Sequence, residues 1–401
     1  MNPTLVRLRR ACVAAAATTA LITPLGASAA YAAATPSPSA DDGFVELTPA
    51  VKAELDAAIA KTLRETKVPG GIVGLWAPGK GSYVKTFGVA DKATGAPMKT
   101  DMNFRIGSET KTFTVTALLQ LVDQGKVGLD DPIGKYIAGV PNGDKITLRE
   151  LAGMRSGLYN YSEDPGFDKA FMTDPDRVFT PKELLAYSFK HPIQFAPDAK
   201  FDYSNTNLIL LGLVIEKITG RPLREVINQD VLVPANLGGT LFPTGKEYPD
   251  PHPQGYTNQT LSGKIVNSTN WDPSWAWAAG AMISDLQDLR RWAKVVATGT
   301  LLKPATQAER LKTKPIGIIP GAAYGLGIFD VQGWIGHNGS LPGYETLTVY
   351  LPEADATMVI ELNTDVTVGG QEPSTLFGEA VTSIVAPDHV YPGHKPTAPR
   401  S

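Results

Sequence analysis

The order in which element types follow one another is the strongest constraint this chain places on its fold. Strand signals stand near both ends. Residues 71–77 and 82–90 read as a pair joined across Pro78-Gly79-Lys80-Gly81, and 325–331, 345–351 and 356–363 read as later strands. The long middle is mostly helix and loop. Helical periodicity fills 51–64, with Thr48 or Pro49 near its start, and again 371–385. Strands at both ends around a helical middle predict a mixed α/β fold: one sheet built from both termini, with an inserted helical lobe. A cleft between sheet and lobe is the natural place for a site.

The ends carry a different message. Residues 1–32 read as a secretory signal peptide. Arg7, Arg9 and Arg10 form a basic start, 11–25 is apolar, and Ala27-Ser28-Ala29 and Ala30-Tyr31-Ala32 both fit a small-x-small cleavage site. Pro24 and the small-residue tail interrupt a stretch shorter than a bilayer span, which disfavours a membrane anchor. Cleavage there removes Cys12, the only cysteine, so the mature chain is expected to hold no disulfide, thiol nucleophile or thiolate metal site. It also removes three of 37 basic residues and none of 40 acidic ones, taking the formal net charge from −3 to −6. No lysine/arginine block stands out, so nucleic acid and anionic membrane are poor partners. The expectation is a secreted monomer. Residues 33–46 read as a flexible lead, 47–385 as one domain and 386–401 as a loose proline-rich tail.

Three short strings carry the chemistry. The first is Ser108-Glu109-Thr110-Lys111, opening an apolar run (Phe113, Val115, Leu118, Leu119, Leu121, Val122) that Gly125 is placed to stop. The run covers nearly every helix face, so the helix should be buried. Residues three apart share a helix face, so Ser108 and Lys111 can touch. A buried lysine loses its charge more easily and can then take the proton of a serine hydroxyl. The pattern alone is cheap, because Ser82-Tyr83-Val84-Lys85 also matches it. That copy lies in an expected strand, where residues three apart point to opposite faces. A helix-capping serine with a surface lysine is the plain alternative for Ser108.

The second string, Tyr203-Ser204-Asn205, stands just before the apolar run 208–218, hence on a loop entering a helix. Tyrosine can relay a proton and asparagine can hold an amide or a carbonyl. Tyr256-Thr257-Asn258 repeats the pattern. The third string is His337-Asn338-Gly339-Ser340. His337 is one of five histidines and the only one in His-x-Gly; no pair has metal-ligand spacing, so no metal or cofactor is expected. His337 reads either as a loop residue at a turn marked by Asn338-Gly339 or as a cationic or proton-donating wall of a site. In the second reading Ser340 offers its backbone N–H, beside that of Ser108, to an oxyanion.

Taken together the strings resemble the serine penicillin-recognising superfamily, on the branch of class C β-lactamases and secreted soluble D-alanyl-D-alanine carboxypeptidases. The resemblance covers roughly residues 47–385. It extends through Phe104-Arg105-Ile106-Gly107, residues 118–126, Leu129-Asp130-Asp131-Pro132, Arg155-Ser156-Gly157-Leu158, Ala279-Gly280-Ala281-Met282-Ile283-Ser284 and Gly343-Tyr344. It implies a β-lactamase/DD-peptidase-like α/β (α+β) fold with an antiparallel sheet flanked by helices and an all-helical lobe. It implies that Ser108 is acylated, Lys111 is the base, Tyr203 shuttles protons to the leaving group and Asn205 holds the substrate's amide. The N–H groups of Ser108 and Ser340 would polarise the scissile carbonyl, and Asn338, Gly339 and Trp275 would line the cleft, although ordinary core packing accounts equally for Trp275. Histidine at 337, where many relatives carry lysine, is similar to the carboxypeptidase group.

Three positions depart from that pattern. Asn338 stands where threonine or serine is usual, and Met154 replaces a commonly seen histidine. Carboxypeptidase relatives carry an arginine for the terminal carboxylate just after a Tyr-Gly-Leu-Gly-like stretch. Here Tyr324-Gly325-Leu326-Gly327-Ile328 leads to Phe329 and Asp330, so a bidentate clamp is absent. The expected activity is that of a D-Ala-D-Ala carboxypeptidase trimming peptidoglycan stem peptides and acylated by penicillins. The alternatives are a β-lactamase, or an esterase or amidase for small or D-amino-acid substrates, which Phe329 favours. A non-catalytic penicillin-sensing or wall-binding module is disfavoured by the intact Ser108, Lys111 and Tyr203.

Overall fold

A computed structural model describes residues 43–391; the signal peptide expected at 1–32, the lead up to residue 42 and residues 392–401 lie outside the described residues. The main sheet is built from β1 (Gly70–Ala77), β2 (Gly81–Gly88), β3 (Lys314–Pro315), β4 (Ala322–Tyr324), β5 (Phe329–Val331), β6 (Trp334–Leu341), β7 (Tyr344–Leu351) and β8 (Ala356–Leu362). Its spatial order is β2-β1-β8-β7-β6-β5-β4-β3, antiparallel throughout. The pairing of β1 with β8, Gly71 opposite Leu362, joins the front of the domain to its end. Both termini therefore build one sheet, as the element order requires.

Residue pattern explains the positions. β1, β7 and β8 are buried at every residue, because helices cover both faces of the sheet. β2, at the edge, is buried only at Tyr83 and carries exposed residues. Five helices frame the sheet and the site: α1 (Pro49–Thr66), α2 (Thr110–Asp123), α3 (Asn205–Thr219), α4 (Leu286–Thr298) and α5 (Pro373–Val385). On one face, α4 sets Ala293 and Ala297 against Tyr350. On the other, α5 stacks Phe377 on Phe87 with ring centroids 5.0 Å apart, and α1 packs against α5. Thr48 caps α1 by accepting from Val51 N.

Helix α2 is buried on nearly all sides, including four threonines. Buried hydroxyls need partners, and they have them. Trp292 Nε1 donates to Thr112 Oγ1 at 2.7 Å, Arg310 Nη1 to Thr116 Oγ1 at 2.9 Å, and Thr114 Oγ1 donates to Ala278 O at 2.8 Å. The helix is thus clamped from the sheet side and the lobe side at once.

Four expectations need correction. Residues 43–46 of the supposed lead are held: Phe44 is buried and Val45 N donates to Val385 O at 2.8 Å. The first residues of the supposed tail are packed as well, with Tyr391 buried and Trp334 Nε1 donating to His389 O at 2.7 Å. The strand expected at 325–331 is only β5, because Gly325 N bonds Ile328 O at 2.9 Å and Gly327 takes φ +69°, closing a turn between β4 and β5. Finally, His337 lies within strand β6 and not at a turn.

Candidate active site

The nucleophile turn is fixed by two glycines. Gly107–Glu109 form one 3-10 turn that runs into α2. Gly107 takes φ +51°, and a Cβ there would lie 2.6 Å from Ser340 N. A Cβ on Gly339 would lie 1.9 Å from Ile106 O. The turn and β6 are thus in direct backbone contact. Space for this exists because β5 pairs with β6 only over Trp334–Gly336, leaving the edge of residues 337–341 to the turn.

Ser108 is half-buried on this turn, and Lys111 beneath it is fully buried. Lys111 Nζ lies 2.8 Å from Ser108 Oγ and donates to Ala279 O at 2.8 Å. It also stands 4.8 Å from the centroid of the Tyr203 ring. No carboxylate pairs with Lys111 among the described residues, and burial alone holds its amine well below the ordinary lysine range. A neutral amine at that distance can accept the serine proton. The rival Ser82–Lys85 string has no such geometry. It lies on β2, and Lys85 pairs with Asp56 at 3.1 Å.

Tyr203 stands just before α3, whose N-cap is Ser204. Asp202 N donates to Met154 O at 2.9 Å, pinning the approach to the tyrosine. Burial raises the Tyr203 phenol above its ordinary value; the Ser108 hydroxyl works against this, and the charge of Glu372 adds to it. The phenol therefore stays protonated and can give a proton beside Ser108. Asn205 Nδ2 donates to Ser162 Oγ at 3.1 Å, and Asn205 N to Asn160 Oδ1 at 3.1 Å, so the amide expected to reach substrate is held from the lobe. The second Tyr-x-Asn match is elsewhere: Tyr256 OH accepts from Lys92 N at 2.7 Å.

His337 and Asn338 point to opposite faces of the sheet, as strand neighbours do. His337 is 1% exposed. Nδ1 lies 2.5 Å from the Asn338 carbonyl, which can only accept, so Nδ1 carries the hydrogen. Nε2 then accepts from the Tyr324 hydroxyl at 3.2 Å. Burial first, and Lys111 second, push the imidazole down to about 3. This corrects the cationic or proton-donating wall expected from sequence: the ring is neutral, and its one hydrogen is spent on the backbone. Asn338 Nδ2, expected to meet substrate, donates to Glu372 Oε2 at 2.7 Å. Gly339 and Ser340 sit against the nucleophile turn. Trp275 packs on Phe171 (5.2 Å) and Phe167 (6.0 Å), and its carbonyl accepts from Tyr161 OH at 2.6 Å. These contacts run into the aromatic core of the lobe.

Sequence reasoning missed three participants. The Ala279 carbonyl is a backbone partner and leaves no side-chain signal. Glu372 is the N-cap residue of α5 and reaches the site only through sheet order. Glu109, beside the nucleophile, is 1% exposed, and burial pushes its carboxyl up to about 8, with the Thr346 and Thr348 hydroxyls acting in the other direction. Between its ordinary 4.5 and about 8, the folded chain holds a proton that the unfolded chain has released. Stability must then fall as pH rises through that window. Glu109→Gln is expected to be more stable than wild type at pH 8, by on the order of 3 kcal/mol, and equal near pH 4.5. Urea unfolding at the two pH values tests this; equal gains at both would show that the carboxyl does not titrate in the window.

A family model described as beta-lactamase matches residues 55–377. PbpX of Bacillus subtilis, a protein named for a resemblance to penicillin-binding proteins, is 26% identical over 70% of this chain and 66% of its own length. Esterase EstB of Burkholderia gladioli is 33% identical over 46% of this chain and 50% of its own. The chain thus spans less than two thirds of the length of these curated relatives. Among solved structures, a D-stereospecific amidohydrolase from Streptomyces superposes with a TM-score of 0.71 at 33% identity, covering 79% of this chain and 94% of that one.

Proposed function

The chain belongs to the beta-lactamase family of serine hydrolases, and we propose that it is an exported acyl-enzyme hydrolase of amide or ester bonds in D-amino-acid derivatives. The observation that carries this reading is the fully buried Lys111 amine 2.8 Å from Ser108 Oγ. Lys111 takes the Ser108 proton as Oγ bonds the carbonyl carbon. The N–H groups of Ser108 and Ser340 hold the oxyanion. As the tetrahedral species collapses, the bond to the leaving amine or alcohol breaks, and Tyr203 passes it a proton. Water then adds to the ester, gives its proton to the same relay and frees the acid. The leader expected at 1–32 supports an extracellular place of action. The D-stereospecific amidohydrolase among the structural relatives supports a D-configured substrate.

A D-Ala-D-Ala carboxypeptidase acting on peptidoglycan is the second reading, favoured by histidine at position 337. Phe329 where an arginine would clamp the carboxylate, with the acid Glu372 nearby, makes it the weaker of the two. One experiment separates them: turnover of D- and L-phenylalanine amide, phenyl acetate and a diacetyl-Lys-D-Ala-D-Ala peptide, with intact-mass analysis after benzylpenicillin. D-amide and ester turnover well above peptide turnover is expected, with the penicillin adduct on Ser108. Dominant release of D-alanine from the peptide selects the carboxypeptidase. Rapid loss of the adduct with hydrolysed drug selects a β-lactamase. Turnover of none of these, on folded protein, overturns the hydrolase assignment.

A further inference from the structure

Strand β6 ends in a two-residue turn, and that turn is tied down from outside the sheet. The ladder between β6 and β7 closes at Leu341 opposite Tyr344, one residue past Ser340. Pro342 and Gly343 stand between them, with Gly343 at φ +96°. Gly343 N donates to Asp365 Oδ1 at 2.9 Å, and Pro342 O accepts from Ser268 Oγ at 2.8 Å. Both tethers lead to one short hairpin, in which Tyr256–Thr257 pair with Val266–Asn267. Asp365 Oδ2 accepts from Thr257 Oγ1 at 2.9 Å and from Gln259 Nε2 at 2.6 Å. The hairpin is itself anchored beyond β8: Tyr256 N donates to Asn363 O at 3.1 Å, and Thr364 Oγ1 to Tyr256 O at 2.7 Å. A Cβ on Gly343 would lie 2.9 Å from Gly255 Cα, so the turn and the base of the hairpin touch.

We propose that Asp365 is a positioning residue for the oxyanion: by holding Gly343 it fixes the end of β6, and with it the place of the Ser340 N–H. This role rests on the acyl-enzyme reading and adds to it a residue that touches no reacting atom. The need for a tether follows from the way β6 is supported. Its pairing with β5 stops at Gly336, so residues 337–341 have a ladder on one side only. The nucleophile turn rests on the other side, close to Ser340 N. A strand end held by one ladder can tilt about it, and a displacement of about 1 Å takes an N–H out of good hydrogen-bond range. Asp365 suits the task because one carboxylate oxygen takes the turn and the other takes the hairpin, so one planar group sets the distance between them. Asp365 is buried, and no lysine or arginine pairs with it among the described residues. Burial raises its carboxyl above the ordinary value, and the donors from Gly343, Gln259 and Thr257 act in the other direction. A buried acid without a cation is a costly way to add stability alone. What it supplies here is position.

The test measures kcat and KM for phenyl acetate, with urea midpoints, on wild type, Asp365→Ala and Asp365→Asn. Alanine removes the acceptor for Gly343 N. Asparagine keeps an oxygen for it and turns its Nδ2 toward Thr257 Oγ1, which can accept. Asp365→Ala is expected to lower kcat about tenfold with KM within about twofold of wild type, the pattern of an interaction made in the transition state. Asp365→Asn should keep kcat within about threefold. A purely structural role does not give this pattern, because a destabilised enzyme assayed while folded keeps its kcat. Wild-type kcat in folded Asp365→Ala, a loss carried wholly by KM, or equal losses in the alanine and asparagine variants overturns the positioning role and leaves the hydrolase intact. If Asp365→Ala does not fold, Ser268→Ala decides, since it frees only Pro342 O: kcat about threefold lower at unchanged KM is expected, and an unchanged kcat overturns the role. Absence of Ser108-dependent turnover in folded wild-type protein overturns the hydrolase reading and the positioning role with it.

Discussion

Lys111→Met is expected to lower kcat for an activated ester about a thousandfold while the melting temperature stays within about 3 °C of wild type or rises. Methionine has nearly the same length and fills the same space, so packing around α2 is preserved. What disappears is the proton acceptor 2.8 Å from Ser108 Oγ. The lysine also costs the fold something, since its amine is fully buried with no ion pair among the described residues. Against that saving stand two lost hydrogen bonds, to Ala279 O and to Ser108 Oγ. The two terms are of similar size, which is why the melting temperature should barely move while activity collapses. Ester turnover and calorimetry on the same preparation check both halves. Near-wild-type kcat would mean that another group takes the serine proton. A large fall in melting temperature would mean that Lys111 is chiefly a strut between α2 and residue 279.

The readable parts of this site are those in which local spacing and tertiary placement agree. Ser108 and Lys111 are three residues apart at a helix start, and the fold leaves them there, so the contact could be read from the string itself. The copy at Ser82 fails for the same local reason, its strand periodicity. Strand β6 is the opposite case. Its Gly336, Asn338 and Gly339 look like a turn because glycine and asparagine are poor strand formers. They are in a strand because Ile106, more than two hundred residues earlier, passes so close to Gly339 that no Cβ fits. That requirement is invisible until the sheet is assembled. The turn at 325–328 was hidden by Leu326 and Ile328, whose apolar side chains imitate a strand. Glu372 was hidden by its distance along the chain, since only the β6-β7-β8 order and the helix after β8 bring it to Asn338. The charge state of His337 depends on depth of burial, which a string of letters does not carry.

Gly339→Ala is expected to lose at least about 3 kcal/mol of stability and about a hundredfold or more in kcat/KM. The added methyl would sit 1.9 Å from Ile106 O, 2.8 Å from Ile106 C and 2.8 Å from Thr346 Oγ1. Two of these are backbone atoms of the segment that presents Ser108, and they cannot rotate aside as a long side chain would. Relief must come by parting β6 from the nucleophile turn. That movement carries Ser340 N away from the Ser108 side of the carbonyl, so one half of the oxyanion cradle is lost with the packing. Gly238→Ala serves as the comparison, because a Cβ there meets nothing within 4 Å; its stability should stay within about 0.5 kcal/mol of wild type. Urea midpoints and ester kinetics on both variants decide the matter. If Gly339→Ala keeps its stability but loses activity, the strand shifts without cost and the contact serves catalysis alone. If it keeps both, the turn and the strand do not need their close approach, and the oxyanion cradle must be built from other donors.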